Sequence, residues 1–284
     1  MKKILPLCAF ILVIQGVAVA QSNSNVFTYN AGDFEIILLS EGQRDGGTNT
    51  LIGATPEMIT EVAPDEKIPG ATNAFLIKIA GKNILVDSGY GRELFKNLES
   101  VGVTPDKVDA ILMTHLHGDH VGGLLTEGEV AFPNAEFYLA QPEYDHFINQ
   151  ESAKKVIEAY RAKLHLFQPE QLGRGANPLD SSLPYIKGIA AYGHTPGHTV
   201  YMVELNGKSF MIWGDLTHSM AVQMPYPKVA VTYDSNKEDA IAYRAKILEY
   251  VSKEAIPVAG MHIPFPGIGV ISVAGGGYKF NPAK

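Results

Sequence analysis

The sequence predicts an α/β protein built from two stacked αβ halves. Two observations carry this reading. Clusters of short apolar runs with strand character are followed by helical stretches, and the pattern occurs twice along the chain. No linker, internal repeat or low-complexity segment divides the 284 residues. The length can bury a sizeable core, and 46% hydrophobic with 19% charged residues excludes a disordered, collagenous or coiled-coil chain.

Lys2 and Lys3 precede an apolar run at residues 4–14, and the small-x-small pattern Ala18-Val19-Ala20 follows. Residues 1–20 therefore read as a secretory signal peptide, leaving residues 21–284 as a single domain. The run falls short of the roughly 20 apolar residues of a membrane span. The expected destination is the periplasm, with no membrane attachment after cleavage. The only cysteine, Cys8, lies in the leader, so the mature chain has no disulfide, cysteine nucleophile or thiolate ligand. The formal net charge of −7 becomes −9 once Lys2 and Lys3 are removed. A surface this acidic repels phosphate backbones, so nucleic acid is not an expected partner.

Residues 34–39 read as a strand. Residues 43–70 are rich in Gly, Thr and Pro without clean periodicity. They read as a long loop with a short helix at 55–61, of the kind that walls a binding site. Residues 73–79 and 83–86 read as two strands parted by Gly81-Lys82, a hairpin signature, with Asp87-Ser88-Gly89 closing the second. Residues 91–101 read as a helix and 108–113 as a buried strand. Residues 142–165 read as an amphipathic helix whose Tyr144, Phe147, Val156, Tyr160 and Leu164 are core candidates. In the second half, residues 185–192, 199–205 and 209–213 read as strands, the last two joined by an Asn206-Gly207 turn. A helix at 236–252 and a strand at 255–259 follow.

The strand at 108–113 runs into His115-Leu116-His117-Gly118-Asp119-His120, three imidazoles and one carboxylate within six residues. His115 and His117 project in similar directions from extended backbone. Asp119 and His120, after the flexible Gly118, can turn toward a second point. One site of three nitrogens beside another of mixed nitrogen and oxygen is the pattern of paired zinc ions. With nine histidines in the chain, chance clustering is a poor account of this window.

His-x-His-x-Asp-His after a strand resembles the signature of the metallo-β-lactamase superfamily. The resemblance implies a four-layer αβ/βα sandwich with a metal cleft along one edge of its two sheets. It extends to Gly193-His194-Thr195-Pro196-Gly197-His198, to Gly214-Asp215 and to Gly260-Met261-His262, each just past a strand. Carried over residue by residue, it implies that His115, His117 and His194 hold one Zn2+. Asp119, His120 and His262 would hold a second, with Asp215 bridging and Asp87 bracing the metal loop. Iron, manganese or cobalt could replace zinc at such a site. A hydroxide bridging the metals would be the nucleophile, its parent water lowered from a bulk pKa of about 15.7 toward neutrality.

Four histidines remain. His146 and His165 fall on the presumed 142–165 helix and read as surface or capping residues. His198 reads as a brace for its Thr-Pro-Gly turn. His218, three residues past Asp215, stands where the resembling cytoplasmic acyl-homoserine lactonases have a tyrosine. It is expected to line the cleft and donate a hydrogen bond to the substrate or leaving group.

The tail His262-Ile263-Pro264-Phe265-Pro266-Gly267-Ile268-Gly269, Gly277-Tyr278-Lys279-Phe280, and Gly214-Asp215-Leu216-Thr217-His218 resemble methyl parathion hydrolase and its exported relatives. That resemblance implies a small-molecule hydrolase acting on a lactone, such as the acyl-homoserine lactones of quorum signalling, or on a phosphotriester. Its apolar walls are expected from the 43–70 loop and from residues near Phe147, Phe265 and Pro266. β-Lactam hydrolysis is a rival that the bridging Asp215 disfavours. A thioesterase of the glyoxalase II kind is disfavoured by the lack of a basic tail. Nucleic-acid-processing members carry an extra domain for which this chain has no room. A non-catalytic metal-binding sensor is disfavoured because no ligand position is missing. A homodimer is left open.

Overall fold

The computed structural model describes residues 25–173 and 176–284; the signal peptide expected at residues 1–20 lies outside them. The strands of the first half are β1 (Val26–Asn30), β2 (Phe34–Gly46), β3 (Leu51–Ile52), β4 (Ile68–Ile79), β5 (Lys82–Val86), β6 (Ala110–Leu112), β7 (Leu125–Thr126), β8 (Glu129–Val130), β9 (Glu136–Ala140) and β10 (Leu164–Phe167). The second half adds β11 (Ile186–Ala190), β12 (Thr199–Leu205), β13 (Lys208–Ile212), β14 (Ala230–Val231), β15 (Val258–Ala259), β16 (Ile268–Ala274) and β17 (Gly277–Pro282). The helices are α1 (Pro56–Val62), α2 (Leu94–Ser100), α3 (Gly118–Val121), α4 (Gln141–Phe147), α5 (Glu151–Ala159), α6 (Met220–Gln223) and α7 (Lys237–Lys253).

Two main sheets form, in the orders β1-β2-β4-β5-β6-β9-β10 and β11-β12-β13-β15-β16-β17. Strand alternation sorts the apolar side chains into layers. Ile37 and Leu39 of β2 pack outward with Leu98, Val156 and Tyr160. Their neighbours Ile36 and Leu38 pack inward against Tyr201, Phe210 and Ile212 of the second sheet. On that sheet Val200, Met202 and Trp213 face the other way, onto Ile247, Leu248 and Val251 of α7. Helices therefore cover both outer faces of two stacked sheets, which is the four-layer αβ/βα sandwich.

Strands β5, β6, β9 and β10 run parallel, as do β13 and β15. The segments holding Asp87, His115, Asp215 and His262 follow the carboxyl ends of β5, β6, β13 and β15. All four open on one edge of the sandwich, as ligand-bearing loops of α/β sheets do. Thr199 and Tyr201 of β12 tie the sheets together there, donating to the Thr114 and Met113 carbonyls.

Several expectations need correction. The loop expected at 43–70 is narrower, because β2 runs on to Gly46 and pairs with β4 as a ribbon past the core, with a bulge between Ser40 and Gln43. Its exposed end shows no apolar alternation to reveal it. The β4–β5 hairpin turns on Ala80-Gly81, both at positive φ, rather than Gly81-Lys82. The helix expected at 142–165 breaks between α4 and α5, and its tail becomes β10. His165 is thus a strand residue, paired with Glu136 at 2.6 Å. His146 does sit on α4, its ring edge-on to Phe147. The C-terminal tail folds as the β16–β17 hairpin.

Candidate metal centre

The loop after β6 is pinned before it can carry ligands. Asp87, just past β5, accepts from the Thr114 amide at 2.8 Å and hydroxyl at 2.6 Å. The Ser88 amide and hydroxyl both donate to the His120 carbonyl. Gly122 and Gly123 let the turn close: a Cβ would stand 2.7 Å from Tyr90 Cα at the first and 2.7 Å from the Ser88 carbonyl oxygen at the second. Glu143, fully buried on α4, accepts from the Leu116 amide (2.9 Å), the Thr195 hydroxyl (2.7 Å) and the Gly197 amide (3.0 Å). One carboxylate thus joins the His115/His117 loop to the His194 loop. Burial pushes it up to about 7.

Asp215 follows Gly214, whose φ of +56° and close approach to His198 Nε2 admit no side chain. His198 donates from Nδ1 to the Ala191 carbonyl and accepts the Asp215 amide at Nε2, both at 2.9 Å. It braces Asp215 as well as its own turn. Arg244, buried on α7, donates to the Leu216, Pro227 and Val229 carbonyls. Gln223 accepts the His218 and Ser219 amides. Asn73 of β4 holds the last loop, donating to the Gly260 and Ile263 carbonyls on either side of His262.

The side chains so placed converge. His115 Nε2, His117 Nδ1 and His194 Nε2 lie 3.0–3.2 Å from one another. Asp119, His120 and His262 form a second group, with His262 Nε2 3.6 Å from Asp119 Oδ2 and His120 Nε2 3.8 Å from Asp119 Oδ1. Asp215 lies between them: Oδ2 is 3.3 Å from His194 and 3.0 Å from His262, and Oδ1 is 3.2 Å from His120. His218 Nε2 is 2.9 Å from Asp215 Oδ2, and its ring stacks on His262.

This donor set suits divalent cations. Three imidazole nitrogens facing one another cannot all be satisfied by protons, and a tetrahedral zinc with arms of about 2.0–2.1 Å would separate them by roughly 3.3 Å. His120 Nε2 and Asp215 Oδ1 are buried without a well-aligned hydrogen bond. Burial holds His115 well below the ordinary histidine range and His194 at about 3, keeping both as neutral donors. The far nitrogens are already engaged: His120 Nδ1 with Asp87 at 2.6 Å, His194 Nδ1 with Asp234 at 3.1 Å and His262 Nδ1 with the Ala71 carbonyl at 2.9 Å. Each fixes its ring and aims the other nitrogen into the cluster.

The cluster floors a cleft of about 610 Å³ lined by parts of the 44–51 and 68–71 segments, His218, Ser219, Val231 and Tyr233. The 43–70 region thus supplies a wall, and His117 and His262, near Phe147 and Phe265, line the cleft, while Phe147, Phe265 and Pro266 themselves lie outside the lining. Phe147 packs edge-on behind His117, and Phe265 packs on Phe27. Asp234, Glu143 and Tyr233 were not singled out from sequence. Each is a lone residue without a local pattern, and only the fold brings it to the site.

A family profile described as the metallo-beta-lactamase superfamily matches residues 68–262. The uncharacterised protein YobT of Bacillus subtilis (strain 168) is 27% identical over 181 residues, covering 60% of this chain and 74% of YobT. Ribonuclease TTHA0252 of Thermus thermophilus is 29% identical over 175 residues, covering 55% of this chain and 38% of the ribonuclease. Among solved structures, the hydrolase AbOPH of the beta lactamase superfamily superposes with a TM-score of 0.83 at 28% identity, covering 93% of this chain and 99% of AbOPH. AidC, a dizinc quorum-quenching lactonase seen with a homoserine product, gives 0.81 at 23% identity, with 92% and 98% covered. At that identity the likeness is one of fold.

Proposed function

The chain belongs to the metallo-β-lactamase superfamily, and from that premise we propose that it is an exported dinuclear zinc hydrolase that opens small ester-like substrates, a lactone or a phosphotriester. The observation that carries this reading is the convergence of two three-residue groups on the shared carboxylate of Asp215. His115, His117 and His194 would hold one cation and Asp119, His120 and His262 the other, with Asp215 between. When bound, such a pair supplies an ionisable water at neutral pH and a Lewis acid for the attacked oxygen.

The chain's own residues do the rest. Asp87, Asp234 and the Ala71 carbonyl hold protons on the far nitrogens of His120, His194 and His262, which leaves their near nitrogens free as donors. His218 presents an Nε2–H beside Asp215 and is placed to donate to an oxygen that gains charge there. Leu51, Ile68 and Val231 give the cleft an apolar side against which an acyl or aryl group can dry the reacting bond. The family match and the AbOPH likeness support a hydrolase on this scaffold; lactone or phosphotriester chemistry is our inference from the site. The leader at residues 1–20 supports a periplasmic location.

The test is a substrate panel on purified, metal-quantified protein. It comprises short- and long-chain homoserine lactones, an aryl phosphotriester, a cephalosporin, a glutathione thioester and an RNA oligonucleotide. Preferred turnover of a lactone or the phosphotriester supports the reading. Preferred turnover of the cephalosporin, thioester or RNA replaces it.

A further inference from the structure

Past Ser40 the first sheet sends out an arm. Ser40 is fixed to the body: its amide donates to the Asn25 carbonyl and its carbonyl accepts from the Asn97 side chain, both at 2.8 Å. Gly42 then takes a φ of +121°, and β2 runs on with β4 as a two-stranded ribbon, Gln43 opposite Ala71 and Gly46 opposite Ile68. The arm, residues 43–70, docks through a small cluster of its own. Ala63 and Ile68 are buried there against Val222 and Val229, with Met58 and Ile59 of α1 packed alongside. Its tip pairs with β14, Leu51 opposite Val231. Arg44, Leu51 and Ile68 of the arm line the cleft. An element held by a small separate cluster opens at lower cost than the core beside it.

The root of this arm meets the metal centre twice. Ala71, opposite Gln43, gives its carbonyl to His262 Nδ1 at 2.9 Å. Glu41, one residue before Gly42, reaches across to the turn that follows β5. Its carboxylate accepts from the Tyr90 amide at 2.9 Å and the Arg92 amide at 2.6 Å. That turn is irregular, with Asp87, Gly89 and Gly91 all at positive φ. A Cβ on Gly89 would come within 2.8 Å of the Glu41 carboxyl carbon, so the glycine makes room for the grip. The turn packs backbone to backbone on the residues after His120. The Gly122 amide donates to the Gly89 carbonyl at 2.9 Å and the Gly123 amide to Ser88 Oγ at 3.0 Å. A Cβ on Gly91 would stand 2.7 Å from Gly123 Cα. Backbone packed this closely passes a shift of Glu41 on to Asp119 and His120. Both routes from the root end in the Asp119, His120 and His262 group.

We propose that Glu41 is a positioning residue that couples the arm to this group: a cation held by Asp119, His120 and His262 sets the arm's root, and docking of the arm tightens that site. The proposal deepens the two-cation reading above and rests on it. The factor by which the cation favours the docked arm is also the factor by which docking favours the cation. The experiment titrates chelator-stripped protein with zinc and follows hydrogen exchange at the amides of residues 43–51 and 68–71, in wild type, Glu41→Gln and Met58→Ala. The binding step lost in Asp119→Ala identifies the group concerned. In wild type, exchange in the arm is expected to slow several-fold at that step. Each variant should weaken that step several-fold and leave the other step unchanged. Met58 carries no charge and packs in the arm's own cluster, so a loss there reports docking rather than a change of field. Arm exchange that zinc leaves unchanged, or a step that either variant leaves at wild-type strength, overturns the coupling. Slowing at the other step alone assigns the link to the β3–β14 tip and overturns the role of Glu41. If a single ion binds, the two-cation reading fails separately, and the coupling is judged on that one step. Slowed arm exchange together with weaker binding in both variants then supports it, and the lack of either overturns it.

Discussion

Asp87 and His120 share a 2.6 Å hydrogen bond at zero exposure, and the same carboxylate takes the Thr114 amide and hydroxyl. One side chain therefore sets both the orientation of a proposed ligand and the backbone that leads to His115. Asp87→Asn keeps the volume but weakens the grip on His120 Nδ1. The expected result is a 10–100-fold loss of affinity at the Asp119/His120/His262 site. Stepwise zinc titration of chelator-stripped protein checks this; two unchanged binding steps would count against it.

Asp234 holds His194 as Asp87 holds His120, at 3.1 Å. Asp234→Asn should weaken the His115/His117/His194 site by a similar factor and leave the other site closer to wild type. The same titration separates the two variants. If both weaken the same step, the assignment of ligands to two distinct groups is wrong.

Glu143 satisfies three donors in the two ligand loops. Glu143→Ala strands two buried amides and a hydroxyl, each costing about 1–3 kcal/mol. We expect at least ~3 kcal/mol of destabilisation in urea unfolding, with much of it recovered in Glu143→Gln, which keeps an acceptor. Equal stability of the alanine variant and wild type would show that the loops are held by other means.

His198 makes the metal-free protein acid-sensitive. Burial lowers it to about 4, and as a neutral ring it accepts the Asp215 amide. An unfolded histidine titrates near 6.5. Between these values the unfolded chain takes up a proton that the folded chain refuses. Stability present above pH 6.5 is therefore lost as the pH falls toward 4, by about 3 kcal/mol from this residue. Urea unfolding of stripped protein from pH 7 to 4.5 should show the loss. His198→Asn, though less stable at pH 7, should show a shallower pH slope, by nearly one proton. An unaltered slope would contradict the account.

The proposed ligands were legible because each lies in a short run of distinctive residue types directly after an apolar strand: His115 to His120 after β6, Asp215 after β13 and His262 after β15. Local order sufficed there. It failed where the deciding contact is distant in sequence. Asp234 meets His194 across 40 residues, and Glu143 meets Gly197 across 54. Strand β10 hid inside a helical-looking stretch because its burial, half-exposed throughout, leaves no strong period, and parallel pairing with β9 decides its state. Phe147, read as a core residue of its helix, is indeed buried, and α4 sets its ring edge-on behind His117.

The most direct measurement is bound zinc per chain alongside hydrolysis of the preferred panel substrate, before chelation, after it and after zinc is restored. The account predicts two ions per chain, loss of turnover when they are removed and recovery when they return, with Asp215→Ala failing to recover. Turnover that persists in fully stripped, folded protein would contradict it.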